Sequence, residues 1–297
     1  MEKLYSPSTI KAVSNKHDFH TSKSLGQNFL TDGNVVNKII DGSEIGPEDL
    51  VVEIGPGMGV LTAAAAEKAA KVVAVEIDQR LIPVLQDTLQ EYPNVEIRQG
   101  DIMKTDVKEL VDQISQDRPG GFAAVKIIGN LPYYITTPIL MKLLEEGGRE
   151  YASSITVMVQ KEVADRMRAV PGGKIYGALS VAVQYYCQVE LLCIVPKEVF
   201  FPRPKVDSAV LRLVLRKNPP VELLSEELFF RVVKAGFGQR RKTLLNSISA
   251  GMAITKEEAE RALVEAGIDP VRRAETLDMK EFANLANVFA KRMESKE

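Results

Sequence analysis

The chain of 297 residues predicts an α/β fold, an open sheet of Rossmann-like type followed by a small all-helical domain. Three observations predict it. The β-branched run Leu50–Ile54 passes through Gly55-Pro56-Gly57-Met58-Gly59 straight into the strong helix former Leu61–Glu67, which is how a nucleotide-binding α/β unit opens. Short apolar runs then recur, and the next two end at Glu76 and Asp101. From Ser225 onward the apolar residues repeat only at helical spacing.

At 45% apolar and 26% charged, a chain of this length can bury one large core and a smaller one. The expected division is a basic arm over 1–24, a larger α/β domain over 25–217 and a helical domain over 218–297. The net charge of -2, from 38 basic and 40 acidic residues, gives no overall pull on a polyanion, so any nucleic acid must be held by local basic patches. Cys187 and Cys193 lack the spacing of a redox pair or zinc site, and His17 and His20 have no acidic cluster beside them. No metal is expected. The first thirty residues hold no apolar signal core, and no run reaches the roughly 18 residues of a membrane span. A cytoplasmic, monomeric protein with no membrane contact is the expectation.

The arm carries Lys3, Lys11, Lys16 and Lys23 against Glu2 and Asp18, with no sustained apolar period, and reads as a poorly packed basic tail. Leu25-Gly26-Gln27-Asn28-Phe29-Leu30 follows as a glycine turn before a helix marked by Val35, Val36, Ile39 and Ile40. After the glycine turn, strands are expected at 71–77, 95–99 and 123–128, the last opening into Asn130-Leu131-Pro132-Tyr133 and Tyr134. A helix with Pro138 in its first turn comes next. Further strands are expected at 154–159, 189–195 and 209–216, with helices near 163–167 and 178–185 and a loop at Pro171–Gly177. Asn218-Pro219-Pro220 marks a linker. In the tail, Thr255 and Glu258 form a capping box and Gly267 ends that helix. Gln239-Arg240-Arg241-Lys242-Thr243 is the densest basic cluster, expected on a helical stretch that Leu244, Leu245 and Ile248 continue.

The glycines decide between cofactors. A dinucleotide fingerprint needs a third glycine where Val60 stands, whereas Gly55, Gly57 and Gly59 behind the acidic Glu53 suit S-adenosylmethionine. Glu76, about twenty residues on, stands where a carboxylate accepts ribose hydroxyls, and Asp101 where one accepts an adenine amine. Asn130 and the residues after it suit methylation of an exocyclic amine. The lone pair of such an amine is delocalised, so carbonyl acceptors on its N–H bonds must draw it toward tetrahedral geometry. Asn130 offers its side-chain carbonyl, Pro132 or Leu131 a backbone carbonyl, and Tyr133 a ring to stack on an extruded base.

Together, Leu25–Leu30, Glu53–Gly59, Asn130–Tyr133 and Phe201-Pro202-Arg203-Pro204-Lys205-Val206-Asp207-Ser208 resemble the motifs of the ribosomal RNA adenine N6,N6-dimethyltransferases. Phe237–Asn246 is similar to the housekeeping small-subunit branch. The resemblance implies a class I S-adenosylmethionine-dependent methyltransferase sheet with a helical domain. It implies dimethylation of two adjacent adenosines in the 3'-terminal hairpin loop of small-subunit rRNA, on a ribosomal precursor. By the same resemblance Asn28, Leu30, Gly55, Gly57, Glu76, Asp101 and Asn130 bind the cofactor. Tyr133 and Phe200 stack on the base, with Phe201 as the alternative to the latter, and Arg203, Lys205, Arg240, Arg241 and Lys242 contact RNA. The rivals are a large-subunit dimethylase of the antibiotic-resistance type, which the basic stretch at 237–246 disfavours, and a non-catalytic assembly factor, which the intact acids disfavour.

Overall fold

In the computed structural model, residues 4–22 and 25–294 are described. Glu2, Lys3 and Lys23 of the expected arm lie outside them. The rest of that segment departs from the expectation of a loose tail. It forms α1 (Pro7–Lys16), with Ser6 accepting the Thr9 N–H at 3.1 Å and proline in the first turn. Ile10 and Phe19 are buried with Phe29, Met58 and Leu81. Few apolar residues lie in α1 itself, so its amphipathic period is weak, and its burial comes from partners far along the chain.

Next come β1 (Phe29–Leu30), α2 (Gly33–Gly42), β2 (Leu50–Ile54), α3 (Val60–Ala66), β3 (Lys71–Glu76), α4 (Ile82–Thr88), β4 (Val95–Gln99), α5 (Val107–Gln116) and β5 (Val125–Asn130). Then α6 (Thr136–Glu145), α7 (Gly148–Tyr151), β6 (Ser154–Gln160), α8 (Lys161–Met167), α9 (Ala178–Tyr186), β7 (Cys187–Val195), β8 (Phe200–Phe201) and β9 (Ser208–Leu215) follow. The last helices are α10 (Glu226–Phe237), α11 (Leu244–Met252), α12 (Lys256–Glu265) and α13 (Met279–Glu294). The strands expected from apolar runs are present within a residue or two of the expected bounds.

The main sheet has seven strands in the order β4-β3-β2-β5-β6-β9-β7. β2 pairs in parallel with both β3 and β5, so the chain first winds outward through β3 and β4 and then returns to the other side of β2. A crevice opens at the carboxyl ends of the strands where this winding reverses. β2 is buried along its whole length, as a strand covered on both faces must be, which explains its continuous apolar run broken only by Glu53. β9 runs antiparallel to β6. The short strands β1 and β8 pair separately, Leu30 facing Phe200 and Phe29 facing Phe201.

By contacts the chain divides into two compact units. The first takes the chain through Ala164 and again Gln188–Leu215; the second takes Asp165–Cys187 and everything from Arg216 on. The second therefore begins earlier than the linker at 218–220 suggests. Tyr185 and Tyr186 explain this: their rings pack on Phe230, and their hydroxyls donate to the Glu226 carboxylate in the first turn of α10 at 2.8 and 2.6 Å. Phe229, Val232, Leu244, Ile248, Leu263, Phe282 and Leu285 supply the buried centre of this unit. The capping box holds α12, with reciprocal bonds of 3.2 and 3.0 Å between Thr255 and Glu258, and Gly267 at φ 75° follows its end.

Candidate active site

The crevice of the first unit is built from strand ends. β2 delivers Gly55, β3 Glu76, β4 Gly100-Asp101 and β5 Asn130, and all of them line one cleft with Leu25–Leu30 and Asn130–Ile135. Gly55, Gly57 and Gly59 have φ of 69°, 60° and 85°, a region closed to most side chains. A Cβ on Gly55 would meet nothing within 4 Å, so its requirement is conformational, whereas one on Gly57 would lie 3.0 Å from the Phe29 ring.

Glu76 is buried, and its carboxylate accepts the N–H of Asp78 at 2.8 Å and of Gly57 at 3.4 Å. Burial raises its pKa and these backbone bonds oppose the rise. Asp101 accepts the Met103 N–H at 2.9 Å through Oδ1, which leaves Oδ2 for a ligand. Glu53 is the unusual member. It is 1% exposed and neither carboxyl oxygen has a hydrogen-bond partner. Burial pushes its pKa up to about 8; the nearby Thr62 hydroxyl lowers it without making a hydrogen bond to it, and the Glu76 charge adds to the rise.

Leu25–Leu30 is tied across the crevice by side-chain amides. Gln27 donates to the Asp78 carboxylate at 2.8 Å and accepts the Ser22 N–H at 2.8 Å. Arg80 also clamps Asp78, and its hydrogen bonds hold that carboxyl below the usual range. Asn28 donates to the Gly26 carbonyl and accepts, through its own carbonyl, the Asn130 side-chain amide, both at 2.9 Å. Leu30 is buried in the core as part of β1. Because the Asn130 nitrogen is spent on Asn28, its Oδ1 is the atom left to accept a hydrogen bond.

The structure separates the two candidate backbone acceptors. The Pro132 carbonyl accepts from the Ile135 N–H at 3.1 Å and the Thr136 hydroxyl at 3.0 Å. Both lone pairs are thus engaged by the start of α6, and Pro132 is not the free acceptor. The Leu131 carbonyl accepts no turn, loop or cap bond among the described residues. Tyr133 lines the cleft, its hydroxyl fixed to Ser208 at 2.6 Å, and burial raises its pKa.

Phe200 is placed elsewhere. Its ring is 4% exposed and belongs to the core with Leu30, Met158, Val195 and Val210, outside the cleft lining, while its neighbour Phe201 is 57% exposed. Arg203 pairs with Glu198, and Lys205 is exposed. In the second unit Arg240, Arg241 and Lys242 are exposed, but they occupy the turn between α10 and α11 rather than a helix. Cleft residues not anticipated from the sequence include Met58, Ile77, Ile102 and Tyr134; Ile77 immediately follows the strand-end carboxylate, the one signal that marks it.

Among the described residues the lining holds Glu53, Glu76 and Asp101 and no lysine, arginine or histidine. Such a cleft rejects a pyrophosphate and favours a cationic ligand, which S-adenosylmethionine is at both its sulfonium and its ammonium. The orphaned carboxyl of Glu53 and the apolar side chains of Ile77 and Ile102 fit that ligand's charge and its flat base. Among the described residues no group of three or more His, Cys, Asp or Glu could hold a metal ion, and no helix is long and apolar enough to cross a membrane.

Known proteins resemble this chain over most of its length. The family model for ribosomal RNA adenine dimethylase matches residues 18–291. The chain is 50% identical over 293 residues to ribosomal RNA small subunit methyltransferase A of Alkaliphilus metalliredigens, covering 98% of this chain and 100% of that one. It is 50% identical over 292 residues to the protein of the same name from Bacillus mycoides, covering 97% and 98%. Among solved structures, a dimethyladenosine transferase from Plasmodium falciparum superposes with TM-score 0.73 at 27% identity, covering 89% of this chain and 98% of its own. The 23S rRNA methyltransferase ErmE does so with TM-score 0.65 at 26% identity, covering 88% and 99%. With its acid-lined crevice and its Asn130 amide aimed by Asn28, the chain belongs to the ribosomal RNA adenine dimethylase family.

Proposed function

We propose that this chain dimethylates N6 of two adjacent adenosines in the 3'-terminal hairpin loop of small-subunit rRNA, acting as a monomer on a small-subunit precursor in the cytoplasm. The observation that carries the chemistry is the cleft with three carboxyls and, among the described residues, no basic side chain, beside an asparagine whose only uncommitted amide atom is an acceptor. The choice of subunit is supported by relatives 50% identical over nearly their whole length that are named for the small subunit.

Bound S-adenosylmethionine supplies an electrophilic methyl group. Glu76 and Asp101 orient the donor from the ends of β3 and β4, and the donor's positive charge favours the ionised form of the Glu53 carboxyl, which burial otherwise keeps protonated up to about pH 8. Asn130 Oδ1 and the Leu131 carbonyl accept the two N–H bonds of the target amine, hold its lone pair toward the methyl and stabilise the positive charge that develops on nitrogen. Tyr133, its hydroxyl fixed by Ser208, offers its ring to the extruded base. Among the described residues no basic side chain lines the cleft to take the surplus proton, which leaves to solvent once the amine is methylated. The base enters as a neutral head, while Arg203, Lys205, Arg240, Arg241 and Lys242 hold phosphates. Phe201 is the exposed ring of its pair and the one available to a base without rearrangement.

The test is incubation of labelled donor with unmethylated small and large subunits, followed by mapping of the labelled base. Label in small-subunit adenosines is expected, and label in the large subunit would overturn the assignment. Asn130→Ala should lower kcat by roughly 10²–10³-fold, the scale for losing one charge-stabilising group, with RNA binding kept.

A further inference from the structure

We infer that Tyr134 is a second base platform, stacking on the nucleobase that adjoins the target adenine in the RNA. The inference rests on the reading that an adenine enters over Asn130, and it adds a subsite to it. Among the described residues, Tyr134 and Phe201 are the aromatic side chains left largely exposed, at 61% and 57%. Tyr134 alone of the two lines the cleft.

Its ring is seated, not free. A Cβ built on Gly26, which holds φ 62°, would stand 3.4 Å from Tyr134 Cδ1 and 3.5 Å from Cε1, so the ring rests where that position lacks a side chain. The opposite side faces solvent. Its hydroxyl makes no hydrogen bond among the described residues, whereas those of Tyr133, Tyr185 and Tyr186 are all engaged. The protein thus fixes the ring and uses neither its outer face nor its polar end.

The chemistry of the site selects the occupant. Three carboxyls and, among the described residues, no cation line the cleft, so a phosphate is disfavoured there and a neutral flat group is favoured. A loop adenosine that is splayed out for methylation loses its stacking partner, and the neighbouring base is left with a bare π-face. Tyr133 and Tyr134 are consecutive in one turn; the first ring is half-buried and tethered, the second outward-facing. One ring for the target and one for its neighbour is the division this implies.

The experiment compares Tyr134→Ala and Tyr134→Phe with the unaltered chain on unmethylated small subunits, reading kcat, KM for the subunit and the donor dissociation constant. Loss of one base–aromatic stack should raise KM of the alanine variant by roughly 5- to 150-fold. Donor affinity should not move, and Tyr134→Phe should restore KM to within about twofold, since the stack needs no hydroxyl. A benzophenone amino acid in place of Tyr134 should crosslink to the nucleotide next to the methylated base. An unchanged KM in Tyr134→Ala overturns the inference. So does a phenylalanine variant as poor as the alanine one, a parallel loss of donor affinity, which would make the ring a prop for Gly26, or a crosslink to a distant rRNA helix. Asn130→Ala run beside them separates the two readings, because an unchanged kcat in that variant would overturn the active-site reading itself.

Discussion

Replacing Glu53 with glutamine should make the protein more stable in alkali. Glu53 sits in the central strand, 1% exposed, with both oxygens unpartnered, and burial raises its pKa from 4.5 to about 8. Between those values the folded chain keeps a proton that the unfolded chain releases, so stability is full below pH 4.5, falls as pH climbs, and has lost the whole contribution above about 8. At about 1.36 kcal/mol per tenfold difference, the loss is at most about 5 kcal/mol, and water entry on ionisation reduces it. Glutamine cannot ionise and escapes the loss. Thermal melts should therefore coincide within a degree or two at pH 5 and diverge by more than about 5 °C in favour of Glu53→Gln at pH 9. Glu76 titrates in both proteins, so the difference between them reports Glu53 together with its coupling to the Glu76 charge. A melting difference that is the same at pH 5 and pH 9 would refute the reasoning.

Gln27→Ala removes a donor to Asp78 and an acceptor for the Ser22 N–H; calorimetry should show weaker donor binding, and kcat at saturating donor should change less than KM. Gly57→Ala forces a side chain into φ 60° and within 3.0 Å of the Phe29 ring, and should cost about 1–2 kcal/mol in denaturant unfolding along with donor affinity. Thr255→Ala breaks the capping box of α12 and should cost about 1 kcal/mol with methylation of small subunits unchanged. Phe282→Ala empties a fully buried position in the second unit and should cost about 3–5 kcal/mol, read as a lower denaturation midpoint.

The features legible in the sequence are those encoded locally. β2, β3 and β5 announce themselves as β-branched runs, and the glycines, Glu76, Asp101 and Asn130 stand at strand ends because that is where the winding of the sheet places a crevice. What escaped is set by partners far along the chain. α1 is held by Phe29, Met58 and Leu81, and nothing in residues 7–16 names them. The membership of α9 in the second unit depends on Glu226, some forty residues beyond the two tyrosines it bonds. Phe200 and Phe201 are consecutive on a strand and must face opposite ways, but a Phe-Phe pair does not say which is inside. The Pro132 carbonyl was lost as an acceptor to a feature of one turn, the Thr136 hydroxyl and Ile135 N–H that open α6.

The placement of β9 between β6 and β7 bears on how the chain folds as it is synthesised. β6 and β7 emerge from the ribosome before the strand that joins them, with Asp165–Cys187 between them waiting for α10. A nascent chain that has reached Val195 therefore carries unpaired strand edges and two buried-to-be tyrosines without their carboxylate. Emergence of Ser208–Leu215 joins β7 to β6, and that of Glu226 a little later completes the tyrosines' hydrogen bonds. A chain stopped before residue 208 should aggregate, whereas loss of the residues after 215 alone leaves all seven strands joined.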